Sequence, residues 1–197
     1  MNTTSPAGIR TAAPTSSRAS KTVIVDNRLA MQSAQKTMKN FFEFSAAPLG
    51  QTEPASLAKY QGKVLLVVNT AAHCGYTPQY KPLGEVERRY AHRGFAVLGF
   101  VSDDFGHQAG TVDEVKSCSL THRATFDQFS CVHVKKGADQ HPLFAWLTSQ
   151  AGFPGEARWN FNKWLISKQG ELIGRWGSDA APDGAEITAA IEAALTK

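Results

Sequence analysis

The chain has 197 residues, 42% of them hydrophobic and 19% charged, ordinary values for one globular domain with a sizeable core. Its formal net charge is +4, but Arg10, Arg18 and Lys21 put +3 on the acid-free residues 1–25, leaving +1 for the rest; that balance excludes a phosphate-tracking basic groove and hence a nucleic-acid partner. No apolar run reaches the length of a membrane span, and three cysteines are too few for a disulfide scaffold but suit a reducing compartment with reactive thiols.

Residues 1–20 are rich in Ser, Thr, Ala, Pro and Gly, with too little apolar surface to offset the entropy of ordering. The stretch lacks the apolar centre of a secretory signal. Its Arg-containing, hydroxyl-rich character partly resembles an organelle transit peptide, and a plain tail fits equally well. A cytoplasmic location is expected, with targeting by this leader as the alternative. Residues 21–39 are weakly amphipathic, with Val23, Val25, Leu29 and Met31. The expected organisation is a flexible leader over 1–39, partly helical near its end, and a domain over 40–197 that opens with Phe41, Phe42 and Phe44.

Residues 63–69 form a short β-rich run, read as a buried central strand. Thr77 and Pro78 predict a helix start, with Thr as N-cap and Pro at the first helical position. Leu83, Val86 and Tyr90 continue at helical spacing until Gly94. Residues 95–101 read as the next buried strand, giving a strand–helix–strand unit with parallel strands. A second helix is predicted over 111–121, a strand over 132–134 and a helix over 141–149. Trp164–Ser167 and Glu171–Trp176 predict a hairpin around Gln169 and Gly170, and residues 184–195 an alanine-rich terminal helix.

Cys74 carries the chemistry. It lies after the central strand and just before a helix N-terminus, whose N–H groups favour an anion and would hold a thiolate. Thr77 occupies the place of the second cysteine of a C-x-x-C pair, so Cys74 does not close a short-loop disulfide.

Residues 64–80, reading VLLVVNTAAHCGYTPQY, resemble the signature of the glutathione peroxidase family with cysteine in place of selenocysteine. Phe105-Gly-His-Gln108 resembles its Phe-Gly-x-Gln segment, and residues 159–166, WNFNKWLI, its Trp-Asn-Phe-x-Lys-Phe-Leu segment. Three motifs in register, over roughly residues 41–195, imply an α/β thioredoxin-like fold, a central mixed sheet flanked by helices. The resemblance makes Cys74 the peroxidatic thiolate, with Gln108, Trp159 and Asn160 around it as neutral donors. It implies a thiol peroxidase that reduces hydrogen peroxide and organic hydroperoxides. It implies no bound cofactor or metal, and an external thiol, thioredoxin or glutathione, as reductant. Cys118 stands where non-animal members carry a resolving cysteine, which implies thioredoxin and a helix that partly unwinds so that the sulfurs can meet. Only residues 148–158 separate the helix at His141 from Trp159, so the tetramer-forming insertion is absent and a monomer or weak dimer is expected.

Plainer readings stand beside these. Cys74 taken alone would be a buried inert thiol, Cys118 a small helix residue and Trp159 a core residue. Cys131 is read as filling a strand end and as the backup resolving residue. His73 is read as a solvated loop histidine, with support of the thiolate as the alternative. The segment 101–105, VSDDF, departs from the family's Pro-Cys-Asn-Gln-Phe, placing Asp103 and Asp104 where they would disfavour a thiolate unless they point outward. Alternatives of other classes are a slow peroxide sensor that relays its disulfide, and a thioredoxin-fold protein without peroxidase activity.

Overall fold

The computed structural model describes Met1 and residues 40–197; the rest of the expected leader, including its amphipathic stretch, lies outside the described residues. Asn40 caps a short 3-10 turn, Phe41–Glu43. Its side chain accepts the Phe42 N–H at 2.9 Å while Glu43 accepts the Asn40 N–H at 3.2 Å. The chain then forms a two-residue antiparallel pair, β1 (Ser45–Ala46) with β2 (Ala55–Ser56), and a 3-10 turn, Leu57–Tyr60.

β3 (Val64–Thr70) is buried at every residue. Its alternation sends Leu65 and Val67 into one core with Phe100, Phe144 and Trp164, and Val64, Leu66 and Val68 into a second with Tyr80, Leu83 and Ile191. A strand buried on both faces reads as a continuous apolar run, which is why it is plain in the sequence. The helix α1 (Tyr80–Tyr90) ends through a 3-10 turn at Gly94, whose φ of 84° supplies the left-handed stop. β4 (Phe95–Val101) then pairs parallel with β3.

α2 (Val112–Thr121) follows, and β5 (Asp127–Phe129) pairs parallel with β4. The expected strand over 132–134 is absent; β5 takes the place beside β4 instead. The N–H of Val132 goes to Val101 O at 2.9 Å, and those of Val134 and Lys135 to the Asp104 carboxylate, so this backbone is satisfied outside a ladder.

After α3 (Pro142–Ser149), β6 (Lys163–Ile166) and β7 (Leu172–Trp176) form the expected hairpin. Ser167 Oγ organises its turn by accepting the N–H groups of Gln169 and Glu171. β6 pairs antiparallel with β3, giving a five-stranded mixed sheet in the order β5-β4-β3-β6-β7. α4 (Ala185–Leu195) closes the second core with Ile187, Ile191 and Leu195. Four helices thus flank a mixed sheet among the described residues, and none of them is long and apolar enough to cross a membrane.

Candidate active site

Cys74 leaves the C-terminal end of β3 on a loop drawn tight by one hydroxyl. Thr77 Oγ1 accepts the Cys74 N–H at 3.0 Å and donates to Ala71 O at 2.9 Å. Thr77 is therefore not the N-cap expected of it: it is the first residue of a 3-10 turn that precedes α1, and Tyr76 stands at the cap without a side-chain bond. Its hydroxyl turns back because the loop holds unpaired backbone groups within reach. The Cys74 side chain is buried in the second core, and its sulfur accepts the Tyr76 N–H at 3.5 Å.

A second loop, after β4, runs alongside. His73 N–H donates to Gln108 O at 3.0 Å and Ala72 N–H to Ala109 O at 3.1 Å. This loop passes through left-handed backbone at Gly106, His107 and Gly110. Asp103 holds its shape, accepting the Ala109 N–H at 3.0 Å on one oxygen and meeting His107 Nδ1 at 2.9 Å with the other. These bonds, the Ala109 N–H foremost, keep the Asp103 carboxyl below the usual carboxylate range. Asp104 is the more buried. Burial opposes its charge, but the N–H groups of Lys135 and Val134 and the His133 ring outweigh it and pull its carboxyl down. The two acids are thus both engaged in holding the loop.

A third loop precedes β6. Asn160 is fully buried, and its Nδ2 donates to Gln108 Oε1 at 3.1 Å. Trp159 is 40% exposed, so it is not the core residue its type suggests. It packs at 5.7 Å from the Phe105 ring and, with Tyr76, Arg158, Arg175 and Ser178, lines a cavity of about 690 Å³. Sequence reasoning missed what holds this loop. Asn69 Nδ2 donates to Trp159 O at 3.0 Å, its Oδ1 accepts the Asn162 N–H at 2.9 Å, and its carbonyl accepts the Phe161 N–H at 2.6 Å. Phe161 takes a φ of 64°, a costly conformation for an aromatic residue. Lys163, fully buried, spans the loop's far side with bonds to the carbonyls of Phe161, Gly177 and Ser178; burial lowers its amine to about 8. The signal was an Asn ending an apolar strand, but its partners are 90 or more positions away.

Three expected residues, Cys74, Gln108 and Asn160, therefore sit on loops bonded into one rim, with Trp159 at its open side. Cys118, on α2, is half-buried against the apolar cluster that holds Cys74, and that burial pushes its thiol up. Cys131 is exposed, lies past the end of β5 rather than filling it, and faces a different cavity, with His73, Asp103 and Glu114. His73 is paired: its Nε2 lies 3.1 Å from Glu114 Oε1. Trp164 is core, whereas Trp176 is half-buried and donates to Glu186 at 2.8 Å.

Comparison with known proteins agrees with this architecture. The family model described as glutathione peroxidase matches residues 41–148. The chain is 43% identical over 166 residues to the hydroperoxy fatty acid reductase gpx1 of Synechocystis sp., covering 78% of this chain and 95% of that protein. It is 35% identical to the thioredoxin/glutathione peroxidase BtuE of Escherichia coli, covering 74% and 92%. Among solved structures, Trgpx in apo form superposes with a TM-score of 0.65 at 34% identity, over 81% of this chain and 98% of that one. A thioredoxin-family thiol:disulfide interchange protein from Chlorobium tepidum superposes at 0.59 with 18% identity, covering 80% and 96%, a likeness of thioredoxin-like fold alone. With a family model spanning more than half of its length and relatives of this closeness, the chain belongs to the glutathione peroxidase family and is a hydroperoxide-reducing oxidoreductase.

Proposed function

We propose that Cys74 is the peroxidatic residue and Cys118 the resolving residue of a thiol peroxidase that thioredoxin regenerates. The observation carrying this reading is the bonded rim in which Gln108 joins the Cys74 loop through its carbonyl and Asn160 through its side chain. Neutral amide and indole donors around a thiolate stabilise developing charge on sulfur and on the departing oxygen without burying a further ion.

The Cys74 thiolate attacks the terminal oxygen of the hydroperoxide. The O–O bond breaks, an S–O bond forms, and the departing alkoxide or hydroxide takes a proton from water. Cys74 is oxidised to the sulfenic acid and the hydroperoxide is reduced to an alcohol or water. The Cys118 thiolate then attacks the Cys74 sulfur; the S–O bond breaks as the disulfide forms, and the departing hydroxide takes up the proton that the Cys118 thiol gave to solvent and leaves as water. A dithiol reductant reopens it, ending as a disulfide itself. That Cys118 packs against the cluster holding Cys74 supports the pairing; that Cys131 faces a separate cavity makes it the weaker candidate.

The name of the Escherichia coli relative couples thioredoxin with glutathione, and the Synechocystis relative's name specifies hydroperoxy fatty acids, so both reductants and an organic hydroperoxide belong in the test. Steady-state consumption of hydrogen peroxide and of a fatty-acid hydroperoxide is measured with thioredoxin and its reductase, and with glutathione. Fast turnover with thioredoxin is expected. Oxidation of Cys74 without turnover would instead indicate a sensor or relay, and inertness of Cys74 would overturn the assignment. Mass spectrometry after one equivalent of peroxide checks the pairing: a Cys118→Ser protein that still forms an intramolecular disulfide excludes Cys118.

A further inference from the structure

His73 and Glu114 join the two elements that carry the proposed redox pair. Glu114 divides its carboxylate between two tasks. Oε2 accepts the Thr111 N–H at 2.7 Å and the Thr111 hydroxyl at 2.8 Å, half of a reciprocal cap that starts α2. Oε1 faces His73 Nε2 at 3.1 Å, and His73 is the residue before Cys74. The backbone on either side is fixed. His73 N–H is held by Gln108 O, and Gly110, at a φ of 78°, passes so close that a Cβ there would lie 2.9 Å from the Ala72 methyl and 3.2 Å from the His73 ring. The two side chains are each about half exposed, at 53% and 49%, so the pair opens to water without disturbing a core. The other ionic groups on the same cavity, Asp103 and His107, are bonded to each other and leave the pair alone.

We infer that His73 and Glu114 are positioning residues for resolution: their contact clamps the first turn of α2 to the Cys74 loop, and its release governs how fast Cys118 reaches the oxidised Cys74. The inference rests on the assignment of Cys118 above. While the clamp is closed, α2 stays folded and the Cys118 sulfur stays packed. When it opens, the helix loses a tether at its capped end, and the unwinding that exposes Cys118 becomes easier. The clamp therefore lengthens the life of the sulfenic acid, and with it the chance of further oxidation by a second peroxide.

The test is a single-turnover experiment on the full chain that separates the second-order oxidation of Cys74 from the first-order closure of the disulfide. It compares the parent, His73→Ala, Glu114→Ala, the double variant and His73→Gln. Removing the His73 side chain is expected to speed closure by about two- to five-fold, the range open to an exposed side-chain contact. Peroxide oxidation of Cys74 stays within two-fold, and the fraction reaching sulfinic acid falls. His73→Gln, which keeps an N–H donor for Glu114, restores the parent closure rate. In the double variant the two single effects fail to add, which separates the clamp from the cap that Glu114 also makes. Additive effects on closure, or a His73→Gln protein that behaves like His73→Ala, overturn the clamp. Peptide mapping of the oxidised parent keeps the two ideas apart. A disulfide that does not contain Cys118 overturns the resolving assignment and the clamp together, whereas a Cys74–Cys118 disulfide whose closure rate ignores His73 overturns the clamp alone.

Discussion

Asn69 and Trp159 stand 90 positions apart in the chain and meet side chain to backbone at 3.0 Å, where β3 ends and β6 is about to begin. The same amide takes the Asn162 N–H, so one side chain spans the loop that presents Trp159 and Asn160. Replacing Asn69 by Leu removes a donor and an acceptor from a fully buried place; the Trp159 carbonyl keeps the bond it accepts from Asn162 Nδ2, while the Asn162 N–H loses its acceptor. A loss of about 1–3 kcal/mol is expected in urea denaturation, the cost of leaving that one buried N–H unsatisfied. Turnover should fall with it, because the loop loses its register.

The amide pair of Gln108 and Asn160 gives a second expectation. Each carries hydrogen-bond capacity toward the rim, and each orients the other. Asn160→Ala or Gln108→Ala is expected to lower the rate constant for Cys74 oxidation by roughly 10²-fold, the scale seen when one preorganised donor is removed. The double variant should be little worse than the poorer single one, as residues acting as a unit are not additive. Stopped-flow oxidation by hydrogen peroxide reads both.

Asp103 accepts the Ala109 N–H, a bond that its neutral isostere can also make. Asp103→Asn keeps an oxygen for the Ala109 N–H and should retain most of the activity. Asp103→Ala frees the loop carrying Gln108 and is expected to cost about ten-fold or more in kcat/KM, since small misplacements are expensive in catalysis. If Asn and Ala variants lose activity equally, the carboxylate acts through its charge instead.

Lys163 has a pH signature. Its amine, lowered by burial to about 8, is neutral in the folded protein between that value and its ordinary 10.5, while in the unfolded chain it stays protonated. The unfolded state binds more protons in that window, so this residue makes stability rise as pH increases from about 8 to 10.5. Relative to a Lys163→Met protein, the parent should gain on the order of 2 kcal/mol between pH 7.5 and 9.5 in paired urea titrations, from the same linkage relation. Parallel slopes for the two proteins would show that Lys163 stays charged among its three carbonyl partners.

Much of this architecture is legible in the residues. Val64–Thr70 and Phe95–Val101 are recognisable because strands buried on both faces are continuous apolar runs, and Cys74 because its flanking residues match a family signature. What escapes is set by distant partners. Asp127-Gln-Phe129 is polar by composition and becomes a strand only because β4 offers an edge and its side chains find partners: Asp127 the Tyr60 hydroxyl, Gln128 Tyr80 and Ser119. Val132-His-Val134 alternates as a strand should, yet Asp104 takes the Val134 N–H and Val101 O the Val132 N–H. Thr77 carries the right chemistry for a cap, but the nearest unsatisfied N–H is behind it, at Cys74.

The direction of β6 has a consequence for how such a site is assembled. Because β6 runs against β3, with Lys163 opposite Val68, its first residue lies at the end of the sheet where β3 finishes. Had it run with β3, the tryptophan and asparagine that precede it would have emerged at the opposite pole of the molecule, a full strand length from the sulfur. A single reversal of strand polarity thus turns two remote stretches of chain into neighbours. It also leaves the Ser167–Glu171 turn at the other pole, where Gly170 O accepts the Phe41 N–H and Lys168 O the Gly62 N–H, away from the reacting end.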